Sequence, residues 1–195
     1  MKYWVLCAAL WSGASVAGDV DPAWLRAWHE AIAAKSVPLS SVSRIGSPDE
    51  PGEPLVVRGT VFTPVGEVAP NVVVHSYHRD AEGFELGRND RELTMWRLQG
   101  WAITDECGEF VFQTIRPAAD HLGREAAHIH FTLVSEEYGN QWAPKVFLAD
   151  DSLLSERDIA RSQALGQFAL LATPEKRNNQ LEISVVFTLK SGADF

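Results

Sequence analysis

About seven short runs rich in β-branched and aromatic residues, each closed by a turn signal, restrict this chain to a mainly β fold. They are Leu55 to Phe62, Asn71 to Tyr77, Met95 to Ile103, Glu109 to Ile115, Ala127 to Ser135, Lys145 to Leu148 and Gln180 to Leu189. Thr63-Pro64-Val65-Gly66 and Asp105-Glu106-Cys107-Gly108 are typical of the turns between them. Runs this short cannot build a helical bundle, and their spacing predicts a β-sandwich. With 195 residues and 46% hydrophobic content the chain fills one core rather than two.

Two stretches read differently. Asp21-Pro22 offers a helix N-cap and a first-turn proline, and Trp24, Leu25, Trp28 and Ile32 follow at helical spacing, which predicts a helix ending near Lys35. From Ser36 to Pro54, Ser, Pro, Gly and Glu dominate without periodicity, as in an extended connector. Asp150 to Ala164, with Ser155 and Asp158 spaced as a capping pair, predicts a helix at the edge of the sandwich.

At the N-terminus, Met1-Lys2 precedes an apolar run from Tyr3 to Trp11 and then Ser15-Val16-Ala17, the pattern of a cleaved secretory signal. The run is shorter than the roughly 20 residues a membrane span needs. The expected organisation is therefore a signal peptide at 1–17, helix and linker at 18–54, and a sandwich domain at 55–191, in a periplasmic or secreted protein with no membrane contact after cleavage. Of the two cysteines, Cys7 lies in the signal, so Cys107 remains alone without a disulfide partner and is expected to pack in its turn. Lys and Arg number 17 against 26 Asp and Glu, a net charge of −9, and no basic cluster interrupts it, which excludes a nucleic-acid surface.

Chemistry concentrates in His128-Ile129-His130, because alternate residues of a strand share a face and bring two imidazoles within reach of one ion. On spacing alone, paired polar residues on a half-exposed strand fit better than a metal site.

In order and spacing, Gly59-Thr60-Val61, Gly83-Phe84, the run Thr104-Asp105 through Thr114-Ile115-Arg116-Pro117, and His128-Ile129-His130-Phe131 together resemble the intradiol ring-cleavage dioxygenases, the catechol and protocatechuate dioxygenases. The resemblance covers about Pro54 to Asp151. It implies a β-sandwich, a ferric iron held by two tyrosines and two histidines, and cleavage of an aromatic ring between adjacent hydroxyls with O₂. His128 and His130 match the histidine ligands. The tyrosine positions hold Glu85 and Asp120 instead, so this is a divergent member without either tyrosine ligand. The ligand set implied is His128 and His130 with Glu85, Asp120 and His121 as further candidates. Imidazole and carboxylate suit iron, which the resemblance favours, and also copper or another divalent metal.

Other positions carry over singly. A family tryptophan maps to Tyr77, and His75 shares the face of Tyr77 by the strand period of two. A family glutamine maps to Lys145, and a family arginine to Glu125 with Arg124 adjacent. Tyr77, His75, Arg124 and Lys145 are thus candidate substrate-binding residues, and Glu85 and Tyr77 candidate catalytic ones.

Two functions follow. The first is a secreted metal-dependent oxidoreductase acting on a phenolic or catechol-like small molecule, with O₂ as co-reactant. The alternative is a non-catalytic extracellular sandwich that binds a metal or ligand at a decayed dioxygenase site. Exposed edge strands leave room for a homodimer.

Overall fold

A computed structural model of the chain describes residues 20–86, 96–165, 171–178 and 180–195. The signal segment and Met95 lie outside the described residues.

Helix α1 (Pro22–Ala33) starts where the sequence places it: Pro22 opens the first turn, and the Asp21 carboxylate accepts the Ala23 N–H at 2.8 Å. Strands β1 (Val42–Arg44), β2 (Pro54–Phe62), β3 (Val73–His78), β4 (Leu98–Ile103), β5 (Glu109–Ile115), β6 (His128–Ser135), β7 (Gly139–Trp142) and β8 (Val146–Leu148) follow. Helix α2 (Glu156–Leu165) is preceded by the reciprocal Ser155 and Asp158 cap, and β9 (Leu171–Ala172), β10 (Glu175–Arg177) and β11 (Gln180–Thr188) complete the chain.

The strands form the expected sandwich. One sheet runs β1-β5-β2-β11-β10 and the other β4-β3-β6-β8-β9, with β7 paired to β6. Between them lies an apolar layer: Val57, Phe110, Phe112, Ile183 and Phe187 from the first sheet meet Val74, Leu98, Ile129, Phe131 and Leu133 from the second. Burial of that layer is the main driving force for closing the two sheets.

The segment read as a featureless connector in fact supplies β1, whose Val42, Ser43 and Arg44 pair in parallel with Val111, Phe112 and Gln113 of β5. Three residues are too few to show alternation, so the sequence gives no strand signal there. β10 is equally silent because all three of its residues are polar and exposed at an edge. Cys107 is exposed at its turn, not packed, because the Asp105 carboxylate caps the Cys107 and Glu109 N–H groups and leaves the thiol outside. Among the described residues no helix is long and apolar enough to cross a membrane.

Helix α1 does not join the inner core. Its Trp24 and Trp28 lie on the outer face of the second sheet against Tyr77, Trp96 and Trp101. The C-terminal Phe195 closes the same cluster, with ring centroids 5.0 Å from Trp24 and 4.7 Å from Trp142. That outer face also carries the histidines.

Candidate metal centre

β3 and β6 are antiparallel neighbours in which Tyr77 is paired with His130 and His75 with Thr132. Since side chains alternate, His75, Tyr77, His128 and His130 all project to the outer face while Val74, Ile129 and Phe131 point to the core. The two histidines converge, with Nε2 of His128 and Nε2 of His130 2.9 Å apart.

The tautomer of His128 follows from geometry. Its Nδ1 lies 2.7 Å from the Ala126 carbonyl oxygen, which only accepts, so Nδ1 carries the proton and Nε2 presents a lone pair. Burial holds His128 below its ordinary pKa, and burial followed by the neighbouring His128 holds His130 well below it, so both are neutral imidazoles at neutral pH. A carbonyl fixing the far ring nitrogen is the usual outer partner of a metal-ligating histidine. With metal–nitrogen bonds of about 2.1 Å, a separation of 2.9 Å corresponds to a ligand angle of about 90°. The pair therefore fits a metal ion as two adjacent ligands.

Around the pair the walls are aromatic and charged. The Tyr77 ring stacks on His130 at 4.4 Å and 7°, and Trp96 stacks on Tyr77 at 3.9 Å. Burial, and next the charge of Glu85, push the Tyr77 phenol up, and its oxygen accepts from Trp24 Nε1 at 3.3 Å. The ring is thus a neutral wall rather than a tyrosinate. Arg79 was missed in the sequence, yet its guanidinium stands 3.5 Å from His128 Nδ1, 3.1 Å from the Glu125 carboxylate and 3.8 Å from Glu85. Lys145 reaches the other oxygen of Glu125 at 2.6 Å. Burial works against the Glu125 charge, but the hydrogen bonds from Lys145 and Arg79 hold its pKa below the usual carboxylate value.

The remaining candidates have definite places. Glu85 accepts from Trp96 Nε1 at 3.1 Å, and burial outweighs Arg79 to raise its pKa. It lines a cleft of about 280 Å³ with Arg79, Phe84, Asp120 and His121. Asp120 accepts the Arg124 N–H and lies 3.5 Å from His121 Nδ1, while His121 stacks on Phe84 at 4.4 Å. The loops bearing Glu85 and Asp120 touch through Gly83, whose φ of +90° suits glycine and where a Cβ would lie 2.3 Å from Ala119 O. The arginine beside the histidines is thus Arg79, from the adjoining strand's end, and Arg124 is exposed on its loop. His75 is fully buried under Trp28 and Trp101, with Nε2 2.9 Å from Gln99 Oε1 and Nδ1 unpartnered; it backs the Tyr77 wall and does not border the cleft. Among the described residues no three of His, Cys, Asp and Glu are gathered as a ready-made metal cage.

Arg79 had a signal that spacing obscured. It follows the inward-facing His78 at the end of β3, where the strand breaks and its alternation no longer assigns a face.

Comparisons with known proteins agree with this architecture. A sequence profile of the family described as Dioxygenase matches residues 32–190. The protocatechuate 3,4-dioxygenase beta chain of Burkholderia cepacia is 28% identical over 151 residues, covering 69% of this chain and 64% of that protein. Catechol 1,2-dioxygenase 1 of Acinetobacter lwoffii is 30% identical over 113 residues, covering 49% of this chain and 36% of that one. The chain therefore spans less than two thirds of the length of these relatives. Among solved structures, a catechol 1,2-dioxygenase from an Acinetobacter species superposes with a TM-score of 0.60 at 20% identity, over 82% of this chain and 61% of that one. The dioxygenase domain of a carbohydrate-binding fusion protein from Streptomyces gives 0.58 at 20% identity, over 80% and 92%. With the profile spanning most of its length and the sandwich in place, the chain belongs to the intradiol dioxygenase superfamily.

Proposed function

We propose that this chain is an exported metal-dependent oxidoreductase that acts on a phenolic or catechol-like compound at a centre held by His128 and His130. One observation carries the reading: two neutral imidazoles converge to 2.9 Å, with the far nitrogen of one fixed by a backbone carbonyl. Family members are typically iron-dependent, and iron, copper or another divalent metal suits this donor set. When bound, the metal supplies the electron-transfer chemistry between O₂ and the phenol.

The chain's own residues prepare the substrate. The cleft beside Arg79 and Phe84 takes the aromatic ring, and the Arg79 guanidinium, which lines it and stands 3.5 Å from His128 Nδ1, offers positive charge to a phenolate oxygen. Glu85, raised by burial, takes the proton that a phenolic hydroxyl releases. Glu85 and Asp120 stand where the resemblance expects tyrosines, so the iron form lacks a tyrosinate colour band and does not cleave simple catechol or protocatechuate. The polar and apolar pattern of residues 1–17 supports export, which N-terminal sequencing of the mature protein tests directly.

The decisive experiment loads the protein in turn with iron, copper, zinc and manganese and follows O₂ uptake with a panel of phenols. Turnover abolished by chelation and by His128→Ala supports the proposal. A burgundy iron form that converts catechol to a muconate refutes the assignment of Glu85 and Asp120. Tight binding without turnover on any phenol assigns the chain as a metal-binding sandwich instead.

A further inference from the structure

We infer that Glu125 is the third protein ligand of the metal held by His128 and His130, which makes the centre a two-histidine, one-carboxylate site. The inference rests on the proposed metal centre and adds to it a residue that the family resemblance equates with an arginine.

Glu125 Oε2 lies 3.8 Å from Nε2 of His128, on the nitrogen that presents its lone pair. The stretch between them is pinned at both ends. The Glu125 carbonyl accepts the Asp120 N–H at 2.9 Å, and the Ala126 carbonyl accepts from His128 Nδ1 at 2.7 Å. Oε2 also accepts from Arg79 Nη2 at 3.1 Å, so the Glu125 side chain has to turn and share or loosen that contact to bring Oε2 to the edge of about 3 Å expected between ligands bonded at about 2.1 Å. Its other oxygen remains with Lys145 at 2.6 Å, the kind of second contact that orients a ligating carboxylate. Glu125 is set apart by its approach to His128, whereas Glu85 meets Trp96 Nε1, and Asp120 meets the Arg124 N–H and His121. Two imidazoles and one carboxylate form the facial set that leaves positions open for substrate and O₂ on non-haem iron.

The test measures Co(II) and Fe(II) affinity by chelator competition, together with the visible d–d spectrum of the Co(II) form, for the wild type, the His128→Ala/His130→Ala double variant, Glu125→Ala, Glu125→Gln and Lys145→Met. The wild type should bind one equivalent and the double variant none. Glu125→Ala and Glu125→Gln should each weaken binding on the order of 100-fold and change the Co(II) spectrum. Lys145→Met, which removes only the outer contact, should keep the spectrum. Glu125→Gln preserves side-chain shape, and circular dichroism confirms that it folds. Wild-type affinity and spectrum in both Glu125 variants, with loss in the double histidine variant, overturns the role of Glu125 and leaves the centre standing. Absence of binding in the wild type overturns both.

Discussion

On the core side of β3 and β6, His78 commits both ring nitrogens, Nδ1 donating to Arg79 O and Nε2 accepting from Thr114 Oγ1, each at 2.7 Å. On the outer side, His128 gives Nδ1 to a backbone carbonyl and turns Nε2 to a second imidazole nitrogen, Nε2 of His130, at 2.9 Å. Both imidazoles are almost completely buried, so burial does not separate a structural histidine from a candidate ligand. The account of each nitrogen does. The same sheet thus has an apolar inner face that holds the fold together and an outer face where helix α1 covers a cluster of aromatic rings beside two imidazoles and a charge network.

Adjacent residues of β6 test that division. The double variant His128→Ala/His130→Ala should lose metal by several orders of magnitude while remaining folded, as elemental analysis and circular dichroism will show. Ile129→Ala, one residue away on the opposite face, should cost about 2 to 5 kcal/mol in a denaturant titration, yet the folded fraction should still take up metal. Loss of metal in both variants would mean that the two faces are not independent.

Acid should act through the fully buried pair His75 and His78, which burial drives to about 4 from 6.5. Each is neutral when folded, and the unfolded chain binds the extra proton first. Stability is therefore full above pH 6.5 and falls as the pH drops toward 4, by up to roughly 3 kcal/mol for each histidine. His78→Gln should flatten part of that slope in urea titrations between those pH values. A smaller effect is expected from Thr114→Val, which keeps the volume but leaves His78 Nε2 without its donor, at about 1 to 3 kcal/mol. The smallest belongs to Arg116→Ala, which breaks the exposed pair with Asp150 and should cost at most about 1 kcal/mol.

What was legible in the sequence was whatever repeats with a local period. Alternation in Leu55 to Phe62, Glu109 to Ile115 and Gln180 to Leu189 marked long strands with one face on the core, and Asp21-Pro22 with Trp24 and Trp28 marked α1. His128 and His130 were legible for the same reason, because period two places them on one face. β1, β7, β9 and β10 were not, since each is too short or too polar to show a pattern and is strand only because a neighbouring strand offers its backbone groups.

The sequence by itself determined the mainly β fold, the leading helix and the histidine pair, all of which follow from local spacing. Only the tertiary structure decided that Arg79 and Lys145 meet on Glu125 beside His128, that Tyr77 lies flat on His130, and that His75 belongs to the tryptophan layer beneath α1. Those contacts join residues from separate strands and loops, and their energies depend on burial and charge that exist only after the two sheets have closed.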